Sequence, residues 1–294
     1  MNFPGFPDSI TDQWREQYER DGYLAFENAL TPDEVEDAKQ SISELIKNYA
    51  FNDSLSTMKR PHDGDNSNYG GVIFNGKNDR FMFQTEPGYQ PDPANVEGLE
   101  PHVRKLAWFS DLTPTFVHIA HEHPRIIPFL EGLFGEEAVI YQSMALLKPA
   151  GGVEKPWHQD NAYFRVKDPK RMLGIWIALD EATIENGCMH VWSGAHQRGP
   201  MKHHHDSSDC TILEDRMSER EMTPIPLKPG GILIFHSNLP HFTPPNHSPH
   251  RRRALQFHYR PASNALISDE EYFKVFVEAD GSPASCVAAR QENF

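Results

Sequence analysis

The sequence predicts an α+β fold with a mainly β core that is preceded by helices. Apolar residues recur at helical spacing before Gly135, whereas short apolar runs bounded by Gly and Pro follow it. No internal repeat is evident. At 294 residues the chain fits one domain, with a helical part at 1–135, a β core at 136–262 and a C-terminal extension at 263–294.

Two helices are predicted at the start of the chain. Trp14 and Tyr18 lie four residues apart on a short polar helix, which Gly22 ends before the apolar run 23–26. Residues 31–34 have the pattern of a capping box with Pro at the first helical position, and the apolar spacing after them predicts a helix to about residue 48. We expect both helices to pack on the main body.

The stretch 52–100 is polar and rich in Gly, Pro, Asn and Asp, with short apolar runs at 71–74 and 80–83. So much irregular chain in a compact protein is typical of a functional lid, so we expect a substrate-contacting loop here. From 104 to 134 the spacing of apolar residues again predicts helix.

The β core is predicted from apolar runs between turns. They lie at 138–147, 173–179, 189–192, 232–236 and 255–259. Between them, His203, His204 and His205 open a segment that we expect to be a solvated loop, since adjacent residues on a loop rarely share one metal ion.

Composition limits the class of partner. The formal net charge of -14 disfavours nucleic acid and anionic membranes. Three widely spaced cysteines argue against a disulfide framework and for a reducing compartment. The chain starts without a leader pattern, and no apolar run approaches the roughly 20 residues that span a bilayer. We therefore expect a cytoplasmic protein.

The strongest chemical signal is His158 with Asp160. On a β-strand these residues would point to one face with Cα atoms roughly 6 to 7 Å apart, close enough to share a metal. A second histidine from a distant strand would complete two histidines and one carboxylate, the set typical of non-haem Fe(II) oxygenases. His241 follows a buried strand and its turn, and is preferred to His236, the rival on the strand itself.

Three arginines at 251–253 open the last core strand. Arg252 shares a face with Ala254 and Gln256, so it is the arginine expected to point inward. A buried guanidinium requires an anion, which predicts a clamp for a small dicarboxylate; the alternative is a basic surface turn.

Taken in order, these motifs resemble the phytanoyl-CoA dioxygenase family. The resemblance rests on the H-x-D at 158–160, the strand 174–179, the turn 185–189, the segment 193–196, His241 and Arg252. It implies a double-stranded β-helix, or jelly roll, of two sheets with the N-terminal helices packed on one of them. It also implies Fe(II), 2-oxoglutarate and O2, with ascorbate as a stimulant.

The resemblance implies a role for each matching residue. His158, Asp160 and His241 match the iron ligands, and Arg252 matches the arginine that pairs with the C5 carboxylate of 2-oxoglutarate. The other matches to the cosubstrate pocket are Thr243, Gln142 and Trp176. A further basic contact falls on either Arg104 or Lys105.

The function expected is oxidation, by default hydroxylation, of an unactivated C–H bond in a small molecule, with release of succinate and CO2. Asp160 favours oxygenation, because related halogenases carry a small residue there. The alternatives are a zinc-type hydrolase on a β-barrel, which needs no Arg252, and a non-catalytic binding jelly roll, which would have lost a ligand. The substrate stays open, although Arg80 or Arg165 could meet an anionic group.

Overall fold

The computed structural model describes residues 3–59, 71–78, 80–205, 210–212 and 222–286. Within these ranges the α-helices are α1 Asp12–Asp21, α2 Pro32–Tyr49, α3 Pro114–Val117, α4 Ile126–Phe134 and α5 Asp269–Val275. The strands are β1 Tyr23–Phe26, β2 Ser56–Lys59, β3 Ile73–Gly76, β4 Met82–Thr85, β5 Val103–Ala107, β6 Ala138–Leu146, β7 Lys155–His158, β8 Leu173–Ala178, β9 Met189–Trp192, β10 His203–His205, β11 Cys210–Ile212, β12 Met222–Ile225, β13 Ile232–His236, β14 His241–Thr243 and β15 Ala254–Pro261.

The described strands form two main sheets and a small ribbon. The large sheet has nine strands in the order β1-β13-β8-β15-β6-β5-β4-β3-β2, and the second has four in the order β12-β9-β14-β7. The ribbon pairs β10 with β11, and neighbouring strands in all three are antiparallel. Antiparallel sheets of this kind confirm the predicted jelly roll with its mainly β core.

Apolar side chains fill both faces of the large sheet. Trp176 of β8 packs in one cluster with Val191 of β9, so this cluster lies between the two sheets. The next residue back, Ile175, points the other way into a cluster with Ile42 of α2 and Phe129 of α4. The N-terminal helices therefore pack on the outer face of the large sheet, as predicted.

The start of α2 and the end of α1 follow the sequence prediction. In α2, Thr31 Oγ1 accepts from Glu34 N at 3.2 Å and Glu34 Oε2 accepts from Thr31 N at 2.8 Å, which is the expected capping box. Helix α1 ends at Gly22, whose φ of 80° is left-handed. A Cβ on Gly22 would also lie 2.4 Å from His196 Nδ1, so glycine is required there for two reasons.

The prediction of an irregular lid at 52–100 is wrong for 56–59, 73–76 and 82–85. Strands β2, β3 and β4 lie there and extend the large sheet through β5. The helix predicted from residue 104 is also wrong at its start, because 103–107 pair with β4 on one side and β6 on the other. Strands of four or five residues with polar members take their conformation from their neighbours, which a local pattern does not show. Residues 60–70 and 79 lie outside the described residues.

Two expectations about the later chain are also wrong. His203 to His205 form strand β10, and His203 is 1% exposed because the C-terminal segment covers it: its backbone N–H donates to Ala284 O at 3.1 Å. Cys210 and Cys286 form a disulfide, although 76 residues separate them. The segment after α5 returns to β11 and brings the two sulfurs together, which the spacing alone does not predict; Cys188 is free and buried. The segment 206–209 lies outside the described residues.

Among the residues that the structure describes, no helix has both the length and the apolar character that crossing a bilayer requires.

Candidate metal centre

Three buried side chains converge at one end of the four-stranded sheet. His158 ends β7 and is the register partner of His241, which begins β14. Asp160 Oδ1 lies 3.4 Å from His158 Nε2 and 3.8 Å from His241 Nε2, and the ligand atoms all lie within 4.8 Å of one another. Two imidazoles and one carboxylate on one side of a point fit a divalent transition metal with open positions opposite.

Asp160 does not reach this site from a strand. Strand β7 ends at His158, and Asp160 begins a 3-10 turn, so the expectation that both lie on one strand face is wrong. Gln159 between them is fully buried and fixes the turn: its Nε2 donates to Asn238 O at 2.7 Å, and its Oε1 accepts from Met201 N at 2.8 Å. The side chains of His158 and Asp160 converge because Gln159 between them is held on the other side.

Each histidine presents a free lone pair to the site. His158 Nδ1 lies 2.8 Å from Pro156 O, and His241 Nδ1 lies 2.9 Å from Leu239 O. A carbonyl oxygen only accepts, so each Nδ1 carries the proton and each Nε2 is left as a ligand. Burial lowers the pKa of His241 to about 3, which keeps this imidazole neutral.

Asp160 is held ionised. Burial alone would raise its pKa, but the surrounding histidines, above all His258 with its hydrogen bond to Oδ2, outweigh burial and hold the pKa of Asp160 well below its usual range. The carboxylate is therefore ready to bind a cation without first losing a proton.

A cavity of about 210 Å³ adjoins the three side chains. Of the residues to which the family resemblance assigns a role, all except Trp176 line it: His158, Asp160, His241, Arg252, Thr243 and Gln142. Arg104 and Lys105 both line it as well, so the structure brings both of these neighbours to the cavity. Gln84 of β4 and Glu86, which follows that strand, also line its wall.

Arg252 points inward, as the strand alternation predicts. It is 1% exposed, and its Nε and Nη1 find no hydrogen-bond partner among the described residues. Its guanidinium lies 5.0 Å from the centre of the Trp176 ring, so Trp176 supports the arginine from behind. Burial lowers the pKa of Arg252 to about 10. A buried cation with unused donors in a cavity fits a carboxylate-bearing ligand.

Lys148, which the sequence did not single out, fixes the Thr243 hydroxyl. Its Nζ donates to Thr243 Oγ1 at 3.0 Å, to Thr243 O at 3.2 Å and to Pro244 O. Because the hydroxyl oxygen accepts from Lys148, its own proton is free to donate into the cavity.

The other residues proposed for the site lie elsewhere. His236 Nδ1 accepts from Asn238 N at 2.9 Å, and its ring lies 5.1 Å from that of His196, away from the cavity. Arg165 pairs with Asp269, and Arg80 lies over the ring of Trp108.

A second cluster with metal-binding residue types surrounds the start of α2. It consists of Glu34, His118 and His123. His123 Nδ1 accepts from the backbone N–H of Arg125 and Ile126 at 3.3 and 3.1 Å, so its Nε2 carries the proton that faces Glu34. A metal would have to displace that proton and the helix cap together, so the cluster is a structural one.

The chain is similar to known proteins along most of its length. Residues 18–254 match the family model of phytanoyl-CoA dioxygenase (PhyH). "Phytanoyl-CoA dioxygenase domain-containing protein 1" of Danio rerio is 27% identical over 283 residues, which cover 92% of this chain and 97% of that protein. The "Phytanoyl-CoA dioxygenase" of Arabidopsis thaliana is 25% identical, covering 86% and 90%.

Solved structures share the fold. EvdO2 from Micromonospora carbonacea var. aurantiaca superposes with a TM-score of 0.62 at 23% identity, covering 92% of this chain and 96% of its own. The "non-heme alpha ketoglutarate dependent carbocyclase SnoK" gives 0.64 at 17%, covering 90% and 89%. EctD from S. alaskensis "with bound Fe" gives 0.63 at 22%, covering 91% and 86%.

Proposed function

This chain belongs to the phytanoyl-CoA dioxygenase family, and on that premise we propose that it is an Fe(II)- and 2-oxoglutarate-dependent dioxygenase. Its substrate is proposed to be a small molecule whose unactivated C–H bond is oxidised, by default to an alcohol. We propose that residues 1–294 form one catalytic domain for this reaction.

The observation that carries the proposal is Arg252 beside the three ligand side chains. A buried guanidinium with unused N–H groups needs an anion, and it lines the same cavity as His158, Asp160 and His241. A dicarboxylate that chelates a metal at one end and pairs with an arginine at the other fits both features. The similar structures named for alpha ketoglutarate and for bound Fe support this choice.

Iron and 2-oxoglutarate, when bound, would supply the oxidation of the C–H bond with release of succinate and CO2. His158, Asp160 and His241 would hold the metal from one side and leave the opposite positions to cosubstrate and O2. Arg252 would pair with the distal carboxylate, with the Thr243 hydroxyl donating to it. Gln142 would line the cosubstrate, and Trp176 would keep Arg252 in place.

The two alternatives explain less. A zinc-type hydrolase would use the same three ligands to activate water, but it gives no role to a buried arginine without an anion. A non-catalytic jelly roll would not need to preserve a complete ligand set with both imidazole tautomers fixed.

The test uses the full chain loaded anaerobically with Fe(II). Adding 2-oxoglutarate should produce a visible absorption band, and admitting air should yield succinate. Asp160→Ala should lose iron and both signals. Asp180→Ala is the matched control, because Asp180 pairs with Arg253 instead of lining the cavity. If the wild-type protein binds Fe(II) but shows neither band nor succinate with any substrate, the proposal is wrong.

A further inference from the structure

We propose that His258 is a positioning residue that fixes which oxygen of Asp160 faces the metal, an inference that rests on the proposed function. His258 was not among the site residues predicted from the sequence. It lies on β15, and its ring contacts the metal-binding carboxylate from the side opposite to the other two histidines.

The two oxygens of Asp160 have different partners. Oδ1 faces the Nε2 atoms of His158 and His241, at 3.4 and 3.8 Å. Oδ2 lies 2.8 Å from His258 Nε2 and 3.4 Å from the Gln256 amide nitrogen. A carboxylate oxygen only accepts, so His258 Nε2 carries the proton and donates it to Oδ2. One oxygen is thereby engaged by the protein and one is left for the metal.

The ring of His258 is held where it can make this hydrogen bond. It is fully buried, and Phe164 and Phe235 pack edge-on against it with ring centres 4.6 and 6.5 Å away. Its Nδ1 has no hydrogen-bond partner among the described residues. With the proton on Nε2, the hydrogen bond of the His258 side chain is to Asp160; the Gln256 amide nitrogen, 3.0 Å from Nε2, is also a donor and faces the same Oδ2.

The backbone around Asp160 does not by itself fix the orientation of its carboxylate. The aspartate lies in a short 3-10 turn beyond the end of β7, so no strand pairing fixes its side chain. A carboxylate with two free oxygens can chelate a metal and occupy a position that a cosubstrate needs. With Oδ2 engaged, Oδ1 alone faces the metal, and the remaining positions stay open.

A different assignment would make His258 a fourth metal ligand. The geometry favours the positioning role, because the group whose ligand atoms converge within 4.8 Å contains His158, Asp160 and His241 and does not include His258. The proton on His258 Nε2 also faces the carboxylate, so this nitrogen has no lone pair to offer. The two assignments predict different results for a variant that keeps a hydrogen-bond donor at this position but has no imidazole. Such a variant should bind Fe(II) normally only if His258 is a positioning residue.

The experiment compares three variants of the full chain. His258→Phe keeps an aromatic ring in the same apolar surroundings and removes the N–H. His258→Gln places an amide N–H near the position of Nε2. His236→Phe is the matched control, because His236 is a half-buried histidine on β13 that does not line the cavity beside Asp160.

Fe(II) affinity is measured anaerobically by competition with a chelator, and the 2-oxoglutarate-dependent visible band is recorded at saturating iron. We expect His258→Phe to bind Fe(II) about 10 to 100-fold more weakly, the usual effect of removing a partner of a metal ligand. Its visible band should shift, because the carboxylate is free to rotate. His258→Gln should return affinity and band to near wild type, and His236→Phe should change neither.

The outcomes separate this inference from the proposed function. A wild-type protein that binds no Fe(II) would overturn the proposed function. If the wild-type protein binds Fe(II) and His258→Phe has the same Fe(II) affinity and visible band, the positioning role alone is overturned. It is also overturned if His258→Gln binds Fe(II) as weakly as His258→Phe. Thermal unfolding of the metal-free variants checks that they fold, and His258→Met replaces His258→Phe if the larger ring is not accommodated.

Discussion

Removing the charge of Arg252 should have opposite effects on stability and on cosubstrate binding. In the metal-free protein the guanidinium is buried with unused donors, and burial lowers its pKa from 12.5 to about 10. That lowering of the pKa corresponds to a free-energy cost of about 3 kcal/mol for burying the charged guanidinium. The contact with the Trp176 ring offsets about 1 kcal/mol of this cost. Arg252→Met, which retains an apolar side chain, should therefore leave the free energy of unfolding unchanged or raise it by up to about 2 kcal/mol.

The cosubstrate should stabilise only the wild-type protein. At a 2-oxoglutarate concentration of about 100 times Kd, the Fe(II) form should gain about 2.7 kcal/mol, whereas Arg252→Met should gain almost none. Urea denaturation under anaerobic conditions, with metal alone and with metal plus 2-oxoglutarate, measures both quantities.

Arg253→Met is the matched control. Arg253 lies on the opposite strand face, where its Nε and Nη2 each bond Asp180 at 2.8 Å. Removing it takes two hydrogen bonds from that carboxylate, which keeps the backbone N–H of residue 253 and Lys39 as partners, so this variant should lose about 1 kcal/mol of stability and keep the full gain from 2-oxoglutarate. An Arg252→Met protein that is less stable by more than about 2 kcal/mol and still gains the wild-type increment would refute the assigned role of Arg252.

Three further results are expected. The free energy of unfolding of the metal-free protein should fall as pH drops from 6.5 toward 3. Burial lowers the pKa of His203, His236 and His241 to about 3, so the unfolded state binds more protons than the folded state in that window. Each histidine contributes at most about 1.4 kcal/mol per pH unit, and a flat pH profile in urea denaturation would contradict this prediction. Thr31→Ala should cost about 1 kcal/mol by the same assay, with Thr31→Ser near wild type, since either hydroxyl completes the capping box. Lys148→Met should weaken 2-oxoglutarate binding about tenfold in titration calorimetry and leave Fe(II) affinity unchanged, because the Thr243 hydroxyl loses its fixed orientation. An unchanged Kd for 2-oxoglutarate would exclude this role for the lysine.

Local patterns predicted the elements whose partners lie nearby in sequence or whose side chains strictly alternate. The capping box of α2, the end of α1 at Gly22 and the buried strand β8 follow from residues that act on their immediate neighbours. The inward direction of Arg252 follows from alternation along β15. These features need no knowledge of the rest of the chain.

Features that depend on distant partners were not predictable in the same way. Strands β2 to β5 exist because each pairs with the next, and the disulfide exists because the chain after α5 returns to β11. Lys148 fixes Thr243, a residue 95 positions away. His258 is an exception, because the alternation that placed Arg252 and Gln256 on one face extends to residue 258, and continuing it would have placed this histidine beside the site.

The inner face of β15 has a consequence for how the chain tolerates insertions and deletions. Arg252 precedes this strand and Gln256 and His258 lie on it, an even number of residues apart, so strand alternation places the proposed anion clamp and the contact with Asp160 on one face. One residue added or removed between Arg252 and His258 would turn one of these two side chains to the other face of the strand. Arg252 and the contact of His258 with Asp160 would then no longer lie on the same face. Length changes in the β2 to β4 extension would alter the cavity wall near Gln84 and leave the metal ligands in place. New substrate preferences should therefore arise by remodelling that extension, while β15 keeps a constant length.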